Sequence, residues 1–199
     1  MNMHTDLFFC GDSVTYGMEL EPFGREEKRF SELVAKEKNL TYENRSKSGA
    51  CNDWIVKRAV NFFREGNTCE TAIIQFSAEE RWSFYDPKKK DFLNIGGKKT
   101  TDNFFTPHMR PAHSAYYKYI YTHELAIENY WKNVFFLNEY LKERCKTIYL
   151  TLTPLPPRNE WTPDVEIASV NKIVGDSVLI GHPSKEGHQK IANHVLSKL

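Results

Sequence analysis

A serine hydroxyl becomes a nucleophile only when a neighbouring base takes its proton, and one serine in this chain stands in a suitable place. Gly11-Asp12-Ser13-Val14-Thr15-Tyr16-Gly17 follows directly on the apolar run Leu7-Phe8-Phe9-Cys10. If that run is a parallel strand, Ser13 lies at the carboxyl edge of a sheet, where sites in such folds form. The tripeptide alone decides little, because Gly175-Asp176-Ser177-Val178 repeats the same four residues. Company distinguishes the first copy. His182-Pro183-Ser184-Lys185-Glu186-Gly187-His188 leads into the final helical stretch, and an imidazole that titrates near neutrality suits a general base. Asn44-Arg45-Ser46-Lys47-Ser48-Gly49 adds a glycine. Its backbone N–H and that of Ser13 could face an oxyanion. The chemistry would be acyl transfer. Plainer readings stand beside it: Ser13 as a helix cap, His182 as a turn residue before Pro183, Asp12 as a turn former, and His188 as a packing or capping residue.

Short apolar runs alternating with helical stretches would position these groups, a pattern that predicts a parallel sheet covered by helices. Strands are expected at Asp6–Cys10, Leu40–Glu43, Thr71–Phe76 and Thr147–Leu152. The first is continuously apolar, as a strand buried on both faces should be. Helices are expected over 25–38, 52–65, 124–144 and 185–199, each carrying an apolar stripe at helical spacing. Thr153-Pro154-Leu155-Pro156-Pro157 ends the fourth strand, since proline neither donates to a ladder nor sits in a helix interior.

The chain has 199 residues, enough for one domain, with 27 basic against 26 acidic side chains and a net charge of +1. Such a balance gives no basic footprint for nucleic acid. No apolar run reaches the roughly 18 residues of a membrane span. The first nine residues lack the cationic start of a secretory signal, so a cytoplasmic location is expected. Cys10, Cys51, Cys69 and Cys145 form no CxxC pair and read as buried thiols rather than zinc ligands. Neither a metal nor another cofactor is expected.

Residues from about 80 to 123 break the alternation. They hold ten aromatic side chains, among them Trp82, Phe84, Tyr116 and Tyr117, together with Lys88-Lys89-Lys90 and Gly96-Gly97. A structureless loop of that length would be unusual, so the segment reads as an insertion packed over one sheet edge. It could form a satellite core with a homo-oligomer contact, an aromatic platform lining a substrate site, or a stacking surface for single-stranded nucleic acid.

The serine after the first strand, the Asn44–Gly49 segment after the second and the histidine before the last helix occur in the order kept by GDSL-type, or SGNH, hydrolases. The chain resembles that family over nearly its whole length, as a single domain spanning 1–199. The resemblance implies an α/β fold: a three-layer α/β/α sandwich around a flavodoxin-like parallel sheet of about five strands. It also implies a metal-free ester hydrolase with Ser13 as nucleophile, His182 as base, and Ser13 and Gly49 as oxyanion donors. The Gly-x-Ser-x-Gly elbow of the α/β-hydrolases is absent.

Two family positions differ. Glu79 falls where an asparagine donor is expected, and an ionised carboxylate cannot donate. Leu179 occupies the place of the triad aspartate, three residues before His182, with Asp176 six residues before as the nearest acid. Some divergent short members from bacteria and phages look similar here, with Gly-x-x-Asn-Asp after the second strand and Ser/Thr…Glu-Arg after the third. This chain has Gly49-Ala50-Cys51-Asn52-Asp53 and Ser77-Ala78-Glu79-Glu80-Arg81. Asn52 or Ser77 could then supply the missing donor, unless Asn52 merely caps the following helix. Arg81 could bind an anionic substrate group beside Trp82, or pair with Glu79. Cys51 would sit at the site edge, open to oxidation. The expected activity is hydrolysis of a small-molecule or glycan acyl ester. The alternative is a catalytically silent binding or assembly module, virion-associated if the chain is of phage origin.

Overall fold

A computed structural model describes residues 2–18, 20, 28–86, 91–95, 110–179 and 181–199. Five strands form one parallel sheet: β1 (His4–Cys10), β2 (Tyr42–Asn44), β3 (Thr68–Phe76), β6 (Lys146–Thr151) and β7 (Ile167–Ser169). Their spatial order is β2-β1-β3-β6-β7, the flavodoxin-like order. The order reverses between β1 and β3, so a crevice opens there at the carboxyl ends of the strands.

Side chains alternate across a strand, and here both faces are covered. Phe8 and Cys10 of β1 enter one core with Ile55, Ala59 and Phe62 of α3 (Asn52–Arg64) and Tyr130, Val134 and Leu137 of α5 (His123–Leu141). Leu7 and Phe9 enter the other with Phe30 and Val34 of α2 (Phe30–Lys38) and Ile191 and Val195 of α7 (Lys185–Leu196). Phe8 stacks on Phe62 at 4.1 Å between centroids. Burial on both sides explains why β1 reads as an unbroken apolar run.

The predicted strands and helices appear with ends shifted by a few residues, except that the start of the helix expected over 25–38 lies outside the described residues. Asn39, in the left-handed region at φ 51°, ends α2. Sequence reasoning did not locate β7 or the short α6 (Val170–Val174) that follows it. The segment 80–123 carries an antiparallel hairpin of β4 (Trp82–Asp86) and β5 (Asp91–Ile95), then α4 (Arg110–Ala115) and a π-helical turn at Tyr116–Ile120. Lys88-Lys89-Lys90, Gly96-Gly97, Phe104 and Phe105 lie outside the described residues. Among the described residues, no helix is long and apolar enough to cross a membrane.

One buried histidine joins the two helices on the second face. Phe30 N–H donates to His188 Nδ1 at 3.2 Å, and the two rings stack. Burial, helped by the charge of nearby His182, pushes the His188 imidazole from 6.5 down to about 4. Between those values the unfolded chain binds a proton that the folded chain refuses. Stability is therefore full above pH 6.5 and falls as the pH drops towards 4, by about 3 kcal/mol in all. Urea unfolding at pH 7 and pH 4.5 reads the loss. His188→Asn puts an amide oxygen at the Nδ1 position, accepts the same N–H without titrating and should flatten the profile; an unchanged slope would exclude His188 as its source.

Candidate active site

Ser13 opens α1 (Ser13–Tyr16), immediately beyond β1 at the crevice. It does not cap this turn. Asp12 does, with Oδ1 accepting from Val14 N–H at 3.0 Å. Ser13 Oγ lies 2.9 Å from His182 Nε2 although 169 positions separate the two residues. That distance suits a nucleophile and its base.

His182 is placed by a small hairpin of β8 (Val178–Leu179) and β9 (His182–Pro183), in which Leu179 pairs with His182. Ser184 N–H then donates to Ser177 C=O at 2.9 Å, while the Ser184 hydroxyl caps α7. The helix comes so close that a Cβ on Gly187 would lie 2.4 Å from the Ser177 carbonyl oxygen. Only glycine allows that approach. Thus the residue three before the histidine, where the family resemblance leads one to expect the acid, is its backbone partner across a tight hairpin. Asp176 stays exposed on the preceding turn, outside the Ser13–His182 contact.

Gly49 lies beyond β2 with φ +74° and open space where a side chain would be. Lys47 N–H donates to Gly11 C=O at 3.2 Å, tying this loop to the one that carries Ser13. Among the described residues, neither the Ser13 nor the Gly49 backbone N–H donates to a protein acceptor.

A buried polar cluster lies under Ser13. Asp12 is fully buried. Its Oδ2 accepts from Ser77 Oγ at 2.7 Å and from Arg81 Nη1 at 3.0 Å. Its backbone N–H donates to Gln75 Oε1, which also accepts from the Thr15 hydroxyl. Arg81 therefore pairs with Asp12, correcting the expected pairing with Glu79. The Glu79 carboxylate instead lies 3.5 Å from the Thr153 hydroxyl, beyond β6.

Asn52 and Ser77 clamp each other. Ser77 N–H donates to Asn52 Oδ1 at 2.7 Å, and Asn52 Nδ2 donates to Ser77 C=O at 3.3 Å. Asn52 is thus not the cap of α3; Cys51 holds that position, without a side-chain capping bond. The hydroxyl and N–H of Ser77 are both used inside the cluster. Cys51 is fully buried, and burial pushes its thiol up to about 11. This corrects the expectation of an oxidisable edge cysteine, since the thiolate is the reactive form. Trp82 stacks on Tyr116 at 5.3 Å, and the Tyr117 hydroxyl donates to Glu80 C=O, which seats the insertion against the loop after β3.

No family model matches the chain, and no curated protein matches it. Solved structures do match in fold. One is a member of the lipolytic protein G-D-S-L family from Veillonella parvula DSM 2008, with TM-score 0.56 and 12% identity over 98% of this chain and 97% of that one. Another is an acetyl xylan esterase from the rumen bacterium Butyrivibrio proteoclasticus, with TM-score 0.58 and 11% identity over 99% of this chain, which spans 63% of the esterase. A third is a psychrotrophic esterase from Pseudoalteromonas sp., with TM-score 0.55 and 12% identity over 96% and 94% of the two chains.

The Asn52–Ser77 clamp predicts a stability effect. Asn52→Ala leaves the buried Ser77 N–H and C=O without those partners and should cost about 1–3 kcal/mol. Urea unfolding checks it; wild-type stability would mean that the loop finds equivalent partners. The strand order, the helices on both faces and these matches agree: the chain has the fold of the SGNH, or GDSL-type, hydrolases.

Proposed function

We propose that the protein hydrolyses acyl esters through a covalent acyl-serine. The observation that carries this reading is the 2.9 Å contact between Ser13 Oγ and His182 Nε2 at the crevice of the sheet. His182 takes the Ser13 proton as Oγ attacks the ester carbonyl. The tetrahedral oxyanion receives the Ser13 and Gly49 N–H groups, both uncommitted within the described residues. His182 then protonates the leaving alkoxide. Water repeats the sequence on the acyl-serine, and the acid is released.

The aromatic insertion and the acetyl xylan esterase among the fold matches support a reading of the substrate class. A small-molecule or glycan acyl ester is the substrate class we infer, with partly exposed Trp82, next in the chain to Arg81, as the aromatic face on which a sugar ring could pack.

A fluorophosphonate probe tests the nucleophile directly. The wild-type protein should be labelled at Ser13, as located by mass spectrometry, and Ser13→Ala should lose the label. His182→Ala should lower turnover of 4-nitrophenyl acetate by about 10⁴-fold or more. A folded wild-type protein that takes no label would point instead to a catalytically silent binding module.

A further inference from the structure

Glu79 and Arg81 leave the end of β3 in opposite directions. Glu79 lies towards β6, at the Thr153 hydroxyl. Arg81 enters the space between the loops after β1 and β2, where Nη1 donates to Asp12 Oδ2 at 3.0 Å and to Ala50 C=O at 3.3 Å. Asp12 and Ala50 are the immediate chain neighbours of Ser13 and Gly49. The guanidinium is therefore fixed between the immediate neighbours of the two residues whose N–H groups serve the oxyanion in the reaction above. Nη1 makes both bonds, while Nη2 and Nε carry the other three N–H groups. The side chain keeps 19% exposure, so it is reachable from solvent, whereas Asp12 has none.

We propose that Arg81 is a catalytic residue that supplies the third oxyanion donor, in place of the amide that Glu79 does not provide. The inference rests on the esterase reading and deepens it. No bond to Arg81 forms or breaks; its N–H groups stabilise the charge that develops on the carbonyl oxygen as Ser13 adds. Such a donor acts mainly in the transition state, so its loss should appear in kcat and not in KM.

Removing Arg81 alone would strand the buried Asp12 carboxylate, so the test removes both charges. Asp12→Asn/Arg81→Gln is compared with Asp12→Asn for 4-nitrophenyl acetate hydrolysis, with thermal unfolding of each. The double variant should lose about 100–1,000-fold in kcat, with KM changed less than about threefold. A purely structural role predicts the opposite, with kcat within about threefold of Asp12→Asn, and that result overturns the proposal. Should the double variant fail to fold, Arg81→Lys decides. A lysine ammonium seated at the Nη1 position to hold Asp12 and Ala50 leaves the places of Nη2 and Nε without a donor, so lost kcat at constant KM supports the proposal and wild-type kcat overturns it. A wild-type protein with no Ser13-dependent turnover overturns the esterase reading and this proposal with it, whereas turnover that survives in the folded variants overturns this proposal alone.

Discussion

The buried Asp12 carboxylate is the constraint on which the site depends. A carboxylate without solvent must be paired and hydrogen-bonded, and Asp12 meets that demand with Val14 N–H, the Ser77 hydroxyl and Arg81. Those partners come from three different segments. Satisfying one charge therefore brings together the turn that carries Ser13, the end of β3 and the entry to the insertion. Breaking a buried pair of this kind from one side costs about 3–5 kcal/mol, enough to hold three loops in one arrangement. Gln75 and the Asn52–Ser77 clamp extend the same network, so the floor of the crevice is polar but internally satisfied.

Much of the architecture was legible because burial leaves a local imprint. β1 is buried on both faces and reads as a continuous apolar run; the stripe Ile55, Val56, Ala59, Val60 and Phe63 predicts α3, although Phe62 is the fully buried ring of the adjacent pair. β7 was missed because Ile167-Ala168-Ser169 is too short to carry a period and sits at the sheet edge. Ser13, Gly49 and His182 could be singled out because each follows a recognisable element in a recognisable order. Their joining could not be read from spacing, since the Ser13–His182 contact depends on sheet order.

The network was the part hidden from sequence. Arg81 has two acidic neighbours in the chain, Glu79 and Glu80, yet pairs with an aspartate 69 positions away. Asn52 has the residue type of a helix cap and stands at the start of α3, but its amide is taken by Ser77 across the crevice. Local preference lost in both cases to the larger cost of leaving a buried charge or backbone group unpaired. The placement of Leu179 has a similar cause: the hairpin that delivers His182 makes position 179 its direct partner.

The reach of the Ser13–His182 contact also bears on how the protein comes into being. A chain growing from its N-terminus completes the turn that carries Ser13 early, while His182 lies on the hairpin that precedes α7. That hairpin is anchored by α7, through the Ser177 carbonyl and the close approach at Gly187. Before α7 has emerged and packed against α2, these two anchors of the His182 hairpin are missing. A chain that stops short of α7 thus lacks the anchor of the Ser13–His182 contact, which joins positions 169 residues apart.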